Sequence, residues 1–197
     1  AGVRIYRGDT TRGPVLSLTV TVFGNTREPM RRDAARSGDH VYVTGTSGGP
    51  GAAVRALKGG VAFLPEWRER FACPRARLRE ARWLVGRGAR AAIDVSDGLL
   101  ADAAHVAAAS NVRIDLALER VPLVRGVDAL AGVRSGEEYE LLVTSAIPID
   151  CEAFIHRFGI PLTEVGAVAD GEPGIRLALN GRLIEVEPLG YDHFETA

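Results

Sequence analysis

The sequence has few cysteines, almost no lysine and no long apolar run. Its two cysteines, Cys73 and Cys151, form no motif, which argues against a disulfide scaffold and favours a reducing compartment. No apolar run is long enough to span a membrane, and no signal peptide is visible. We therefore expect a cytoplasmic protein that has no membrane partner.

A strong net charge is also missing. The 24 basic and 25 acidic residues give a formal charge of −1, so no overall field draws the chain to nucleic acid. Eight arginines fall between positions 66 and 90, where glutamates interrupt them. This stretch predicts a solvated amphipathic helix and not a nucleic-acid patch. The four histidines have no metal-ligand spacing, so we expect surface or packing roles for them.

The stretch 91–100, AAIDVSDGLL, is the most informative part of the sequence. Its first five residues predict a short buried strand, and apolar residues then recur at helical spacing. A strand end followed by a helix start offers N–H groups to phosphate oxygens and carboxylates to Mg²⁺. The alternative is that Ser96 or Asp97 only caps the helix. The oxygen-bearing side chains at this junction are Asp94, Ser96 and Asp97.

Strands and helices alternate along the rest of the sequence. We therefore expect an α/β fold with a mixed sheet and helices on its faces. Asn180-Gly181 predicts a tight hairpin between the last two strands. The predicted strands are 15–22, 40–44, 91–95, 112–118, 139–144, 162–168, 175–179 and 182–186, and further helices are predicted at 52–57, 127–130 and 150–158.

A glycine-rich loop at 45–51 follows the strand predicted at 40–44. The order of strand, glycine-rich loop and helix is typical of phosphate-binding loops. The loop lacks the Gly-Lys-Ser/Thr ending of a Walker loop, however. The sequence leaves two alternatives open, a phosphate site and a connector that holds no ligand.

Several motifs together resemble the thiamine-monophosphate kinase family. This family belongs to an ATP-dependent superfamily that includes aminoimidazole ribonucleotide synthetase and selenophosphate synthetase. The resemblance covers essentially the whole chain and implies phosphorylation of thiamine monophosphate by ATP, with Mg²⁺ and a homodimeric assembly. The motifs are Gly8-Asp9-Thr10-Thr11, Arg32 with Ser37-Gly38-Asp39, Val43-Thr44-Gly45, the stretch 93–98, Gly136-Glu137-Glu138-Tyr139-Glu140-Leu141 and Gly190-Tyr191-Asp192-His193-Phe194.

The resemblance also implies roles for individual residues. Asp9, Asp94 and Asp97 would bind Mg²⁺, and Glu137 and Tyr191 would contact the thiamine moiety. A metal is physically sensible, because the donor and the acceptor are both phosphates that repel each other. A turn carboxylate at Glu137 and a packing role for Tyr191 are the plain alternatives. The residues that would bind ATP are Gly8, Asp9, Arg32 and Ser96.

The same resemblance predicts two parts of unequal size. Residues 1–37 would be a remnant of an N-terminal ATP-binding and dimerisation domain, and residues 38–197 would form the C-terminal α/β domain. The family carries a long segment with further Mg²⁺-binding aspartates before its Gly-Asp-Thr-Thr motif, and this sequence does not contain it. We therefore expect the chain alone to be inactive as a kinase.

Two other functions stay open at this point. The chain could be another enzyme of the superfamily, of the selenophosphate synthetase or aminoimidazole ribonucleotide synthetase type. It could also be a module that binds a nucleotide or dimerises without catalysis.

Overall fold

Strands and helices alternate through the part of the chain that the computed structural model describes, residues 7–185. The strands are β1 (His40–Thr44), β2 (Ala89–Asp94), β3 (Arg113–Ala117), β4 (Leu141–Ser145), β5 (Leu162–Ala169), β6 (Gly174–Leu179) and β7 (Arg182–Ile184). The helices are α1 (Gly49–Lys58), α2 (Pro65–Ala72), α3 (Leu78–Val85), α4 (Leu99–Ser110), α5 (Ala129–Val133) and α6 (Cys151–Phe158), with a 3₁₀ turn at Leu118–Arg120. No helix among the described residues is long and apolar enough to cross a membrane.

The seven strands form one mixed sheet in the order β2-β4-β1-β5-β3-β6-β7. Neighbouring strands are antiparallel except β3 and β6, which are parallel. Side chains alternate between the two faces, so Val41 and Val43 pack beneath α4 while Tyr42 packs on the other face with α3 and α6. The expected mixed sheet with helices on both faces is confirmed, and it leaves β2 at one edge.

Local signals place most elements correctly. The Asp150 carboxylate accepts a hydrogen bond from the Ala153 amide at 2.9 Å, so it caps α6, and Gly159 ends that helix in the left-handed conformation. Asn180 and Gly181 have φ of 49° and 78°, as a tight turn between β6 and β7 requires. Residue 186, predicted as the end of the last strand, lies outside the described residues.

The strand predicted at 15–22 is wrong. This segment has no regular secondary structure and pairs with no described strand, and its apolar side chains are exposed, Leu16 and Leu18 among them. Alternating apolar residues favour a strand only where a sheet edge is available to complete the hydrogen bonds. Among residues 7–185, no sheet edge takes up this segment.

The single solvated helix predicted between 66 and 90 is also wrong. The chain forms α2 and α3 with a break between them, and residues 89 and 90 already belong to β2. Pro74 explains the break, because it lacks an N–H donor and disfavours helical geometry at Cys73, which has φ −137° and ψ 61°. Two of the arginines in this stretch are largely buried, as described below.

Candidate functional site

A pocket of about 360 Å³ lies where β2 ends and α4 begins. Four residues singled out in the sequence line it together, so β2, α4 and the segment before β1 meet at one place. These four are Arg32, Asp94, Ser96 and Asp97, and the remaining lining residues are Ala92, Ile93, Asp102, His105 and Leu141.

The turn from β2 into α4 is held by a carboxylate from within the helix. Oδ2 of Asp102 accepts hydrogen bonds from the backbone amides of Ser96 and Asp97, each at 3.0 Å. The cap predicted from Ser96 or Asp97 is wrong, because α4 begins after Gly98 with no side-chain cap. Asp102 satisfies the amides of the turn instead, and no described residue hydrogen-bonds the side chain of Ser96 or Asp97.

Asp102 and His105 extend the polar site beyond the predicted residues. With Asp97 they place three possible metal-ligand atoms within 4.8 Å of one another. Burial raises the pKa of the Asp102 carboxyl to about 6, although its hydrogen bonds from the two amides lower it. The spacing of Asp102 and His105 in the sequence already indicates that they are neighbours, since residues three apart on a helix lie on the same face.

The loop at 136–140 pairs with this turn through its backbone. The amide of Glu137 donates to the Ser96 carbonyl at 2.7 Å, and the amide of Tyr139 donates to the Val95 carbonyl at 2.8 Å. A Cβ on Gly136 would lie 2.7 Å from the Ser96 carbonyl oxygen, so this close approach needs glycine. Glu137 therefore lies beside the Ser96–Asp97 turn.

Tyr139 lies next to the site, and the sequence interpretation gave it no role. Its hydroxyl donates to the Glu137 carboxylate at 2.8 Å. That hydrogen bond, together with partial burial and the negative charges of Glu137, Asp94 and Asp97, raises the pKa of the Tyr139 hydroxyl. The phenol thus lies close to three carboxylates, of which Asp94 and Asp97 line the pocket and Glu137 lies beside it.

Arg32 is held at the pocket by the far end of α4. The Ser110 hydroxyl donates to the Arg32 carbonyl at 2.7 Å and accepts from the Ala35 amide at 3.1 Å. One helix therefore fixes both the turn of the carboxylates and the backbone that carries the guanidinium.

The remaining predicted residues lie elsewhere. Gly8 and Asp9 are exposed and do not line the pocket, and the Asp9 carboxylate accepts a hydrogen bond from the neighbouring Thr10 amide. Tyr191 lies outside the described residues. The roles of these three residues stay predictions.

The glycine-rich loop at 45–51 is filled by protein groups. The amide of Gly48 donates to the Glu138 carboxylate, and the amide of Gly51 donates to the Ser135 hydroxyl at 3.1 Å. Arg70 covers the loop so closely that a Cβ on Gly49 would lie 3.0 Å from its side chain. The structure therefore favours the connector over the phosphate site.

Comparison with known proteins establishes the family. Residues 36–177 match the family model described as AIR synthase related protein, C-terminal domain. The chain belongs to this family. It is 38% identical over 193 residues to the thiamine-monophosphate kinase of Methanopyrus kandleri, which covers 92% of the chain and 60% of that relative. The resemblance inferred from the motifs is thus confirmed, and the chain spans less than two thirds of the relative's length.

Solved structures agree with this assignment. The crystal structure of thiamine-monophosphate kinase from Stenotrophomonas maltophilia K279a superposes with a TM-score of 0.68 at 32% identity, covering 79% of the chain and 54% of that structure. The structure described as AaThiL complexed with AMPPCP and TMP gives a TM-score of 0.66 at 32% identity, covering 83% of the chain and 53% of that structure.

Proposed function

We propose that the protein takes part in the phosphorylation of thiamine monophosphate by ATP, which forms thiamine diphosphate. The observation that carries this proposal is the pocket between β2 and α4, where Arg32 meets Asp94 and Asp97 around one space. A guanidinium and two carboxylates at the start of a helix suit a metal-bound phosphate. Relatives named as this kinase, and a similar structure that contains AMPPCP and TMP, support the proposal.

The donor set of the pocket fits Mg²⁺. Asp94 and Asp97 offer hard carboxylate oxygens that form no ion pair with a described side chain, and we propose that they hold the ion together with Asp9. Mg²⁺ supplies the positive charge that lets two phosphates approach each other. The side chain of Arg32 can bind a phosphate through two parallel hydrogen bonds. Ser96 supplies a neutral donor beside the guanidinium.

The nucleotide and the acceptor would occupy different sides of the turn. We assign Gly8, Asp9, Arg32 and Ser96 to ATP. We assign Glu137 and Tyr191 to the thiamine moiety, whose positive charge suits a carboxylate and an aromatic ring. The contact between the Glu137 amide and the Ser96 carbonyl supports a shared site, because it places the two sets next to each other.

The proposal includes the organisation of the chain. Residues 1–37 would belong to an ATP-binding and dimerisation domain, and residues 38–197 would form the C-terminal α/β domain. The start of the family match at residue 36 supports this boundary. The exposed apolar side chains between 15 and 23 support a homodimer through this segment. We place the protein in the cytoplasm, with no nucleic-acid or membrane partner.

Release of ADP with and without thiamine monophosphate, at saturating Mg²⁺, tests the activity. Because the chain spans only part of its relatives' length, we expect negligible release from it alone. Release that depends on thiamine monophosphate should appear when the N-terminal segment implied by the resemblance is added covalently or in trans. Nucleotide binding without any release in that assembly would instead favour the non-catalytic module.

A further inference from the structure

Two buried glutamates lie on the loop that carries Glu137. Glu138 is 3% exposed and Glu140 is fully buried. A carboxylate that loses water without a partner is strongly destabilising, so each of them needs a donor from the protein. The donors come from α2 and from the residue that precedes α3.

Arg70 and Arg77 supply the positive charge. Arg70 donates to the Glu138 carboxylate at 2.9 Å and also to that of Glu140. Arg77 donates two hydrogen bonds to the Glu140 carboxylate, at 2.8 Å from Nε and 2.6 Å from Nη2. Two guanidinium groups thus balance the charges of two carboxylates. The paired hydrogen bonds from Arg77 also fix the orientation of the Glu140 carboxylate.

The glutamates are anchored further by neutral donors. The Thr44 hydroxyl donates to Glu140 at 2.6 Å, and the Gly48 amide donates to Glu138. Burial raises the pKa of the Glu138 carboxyl, while its hydrogen bonds from Ser135, Arg70 and Gly48 act in the opposite direction. The loop is therefore tied to β1 and to the start of α1 as well as to α2.

Next to these two anchored glutamates, two residues have an uncommon backbone conformation. Glu137 and Tyr139 have φ of 62° and 52°, in the left-handed region. This conformation is strained for a residue with a side chain, and it persists only where the surroundings enforce it. Glu138 and Glu140 adjoin these residues and are held by charged hydrogen bonds. The amides of Glu137 and Tyr139 in turn bond to the carbonyls of Ser96 and Val95.

We propose that Arg70 and Arg77 are positioning residues that hold the 136–140 loop so that Glu137 faces the substrate. This inference rests on the proposed function for the identity of that substrate. Replacing a buried ion pair with apolar residues is often neutral or stabilising, so the pairs are a poor device for stability alone. What they add is a fixed direction for the two glutamates, and hence for their chain neighbours Glu137 and Tyr139.

Hydrogen exchange of the loop amides tests the positioning without any ligand. In Arg77→Met we expect the amides of Glu137 and Tyr139 to exchange about tenfold faster, while core amides such as that of Val43 are unchanged. Arg77→Lys keeps the charge and loses the fork, so we expect an intermediate rate, and this variant decides the question if Arg77→Met does not fold. Arg79→Met, which removes an exposed arginine from α3, is the matched control.

Calorimetry with two probes tests the link to the substrate. In Arg77→Met the affinity for thiamine monophosphate should fall about tenfold, with Arg77→Lys between it and wild type, while the affinity for AMPPCP with Mg²⁺ stays within about twofold. Equal loss of both affinities would reduce Arg77 to a purely structural role and overturn the proposal. Unchanged loop exchange in folded Arg77→Met or Arg77→Lys would overturn it too. A wild-type chain that binds no thiamine monophosphate would contradict the proposed substrate, while loop exchange would still decide the positioning.

Discussion

Asp102 is the buried carboxylate that sets the geometry of the pocket. Its side chain accepts both amides of the Ser96–Asp97 turn. Hydrogen bonds to a charged acceptor are worth more than neutral ones, and here they leave the side chains of Ser96 and Asp97 available to a ligand. A residue inside α4 thus acts on a turn that precedes the helix.

Removing that acceptor should loosen the turn. We expect Asp102→Ala to lower the free energy of unfolding by about 2 kcal/mol, because two amides lose a charged partner. Asp102→Asn keeps one amide oxygen in the same place and should lose less. Urea unfolding of both variants measures this order, and equal stability of Asp102→Ala and wild type would contradict the role given to the carboxylate.

At the scale of elements, the site depends on two loops that lie almost in contact. Gly98 precedes α4 with φ 112°, and a Cβ there would lie 3.0 Å from the backbone of Arg134. Gly136 approaches the Ser96 carbonyl from the other loop even more closely. The pocket wall therefore depends on two positions where a side chain cannot be accommodated.

A methyl group at Gly136 should force these loops apart. We expect Gly136→Ala to cost about 1–3 kcal/mol of stability, because the new atom would meet backbone that cannot rotate away. Gly24→Ala is the control, since a Cβ there has nothing within 4 Å. Thermal unfolding of the two variants compares them, and a Gly136→Ala midpoint equal to the control's would show that the loops tolerate separation.

At the scale of the whole molecule, the exposed segment at 15–23 is the largest departure from an ordinary surface. Its apolar side chains, with Leu16, Leu18 and Phe23 among the most exposed, alternate along a segment that pairs with no described strand. A segment with an alternating apolar pattern and unpaired backbone groups is prone to pair with another chain.

We expect concentration-dependent self-association of the 197-residue chain through this segment. Replacing Leu18 and Val20 with glutamate should reduce this self-association, because a charged side chain opposes both burial and edge pairing. Sedimentation velocity of Leu18→Glu/Val20→Glu against wild type measures the change. Identical association of the two proteins would place the contact elsewhere.

The structure separates what local sequence signals can predict from what they cannot. The cap at Asp150, the stop at Gly159 and the Asn180-Gly181 turn were predictable, because each depends on neighbours within a few residues. The pairing of Arg70 with Glu140 joins residues 70 positions apart, so no local sequence pattern predicts it. The strand predicted at 15–22 is wrong for the opposite reason. Its alternation of apolar residues is clear, but no described strand offers the sheet edge that it would need.

The candidate site was predictable in the same limited sense. Asp94, Ser96 and Asp97 follow from a strand that ends where a helix begins, and the pocket brings Arg32 to them. Asp102 and Tyr139 were missed although their hydrogen-bond partners lie within six positions of them, because the sequence pattern does not fix the direction of these side chains.

The most direct test of the account is calorimetric binding of AMPPCP by this chain with and without Mg²⁺. We predict Mg²⁺-dependent binding by wild type, and at least about a tenfold loss in Asp97→Asn, because the pocket would lose one of its hard, charged ligands. Asp170→Asn, an exposed aspartate outside the pocket, should bind like wild type, and all three proteins should unfold at the same urea concentration. Unchanged Mg²⁺-dependent affinity in Asp97→Asn would contradict the assignment of the nucleotide and its metal to the pocket between β2 and α4.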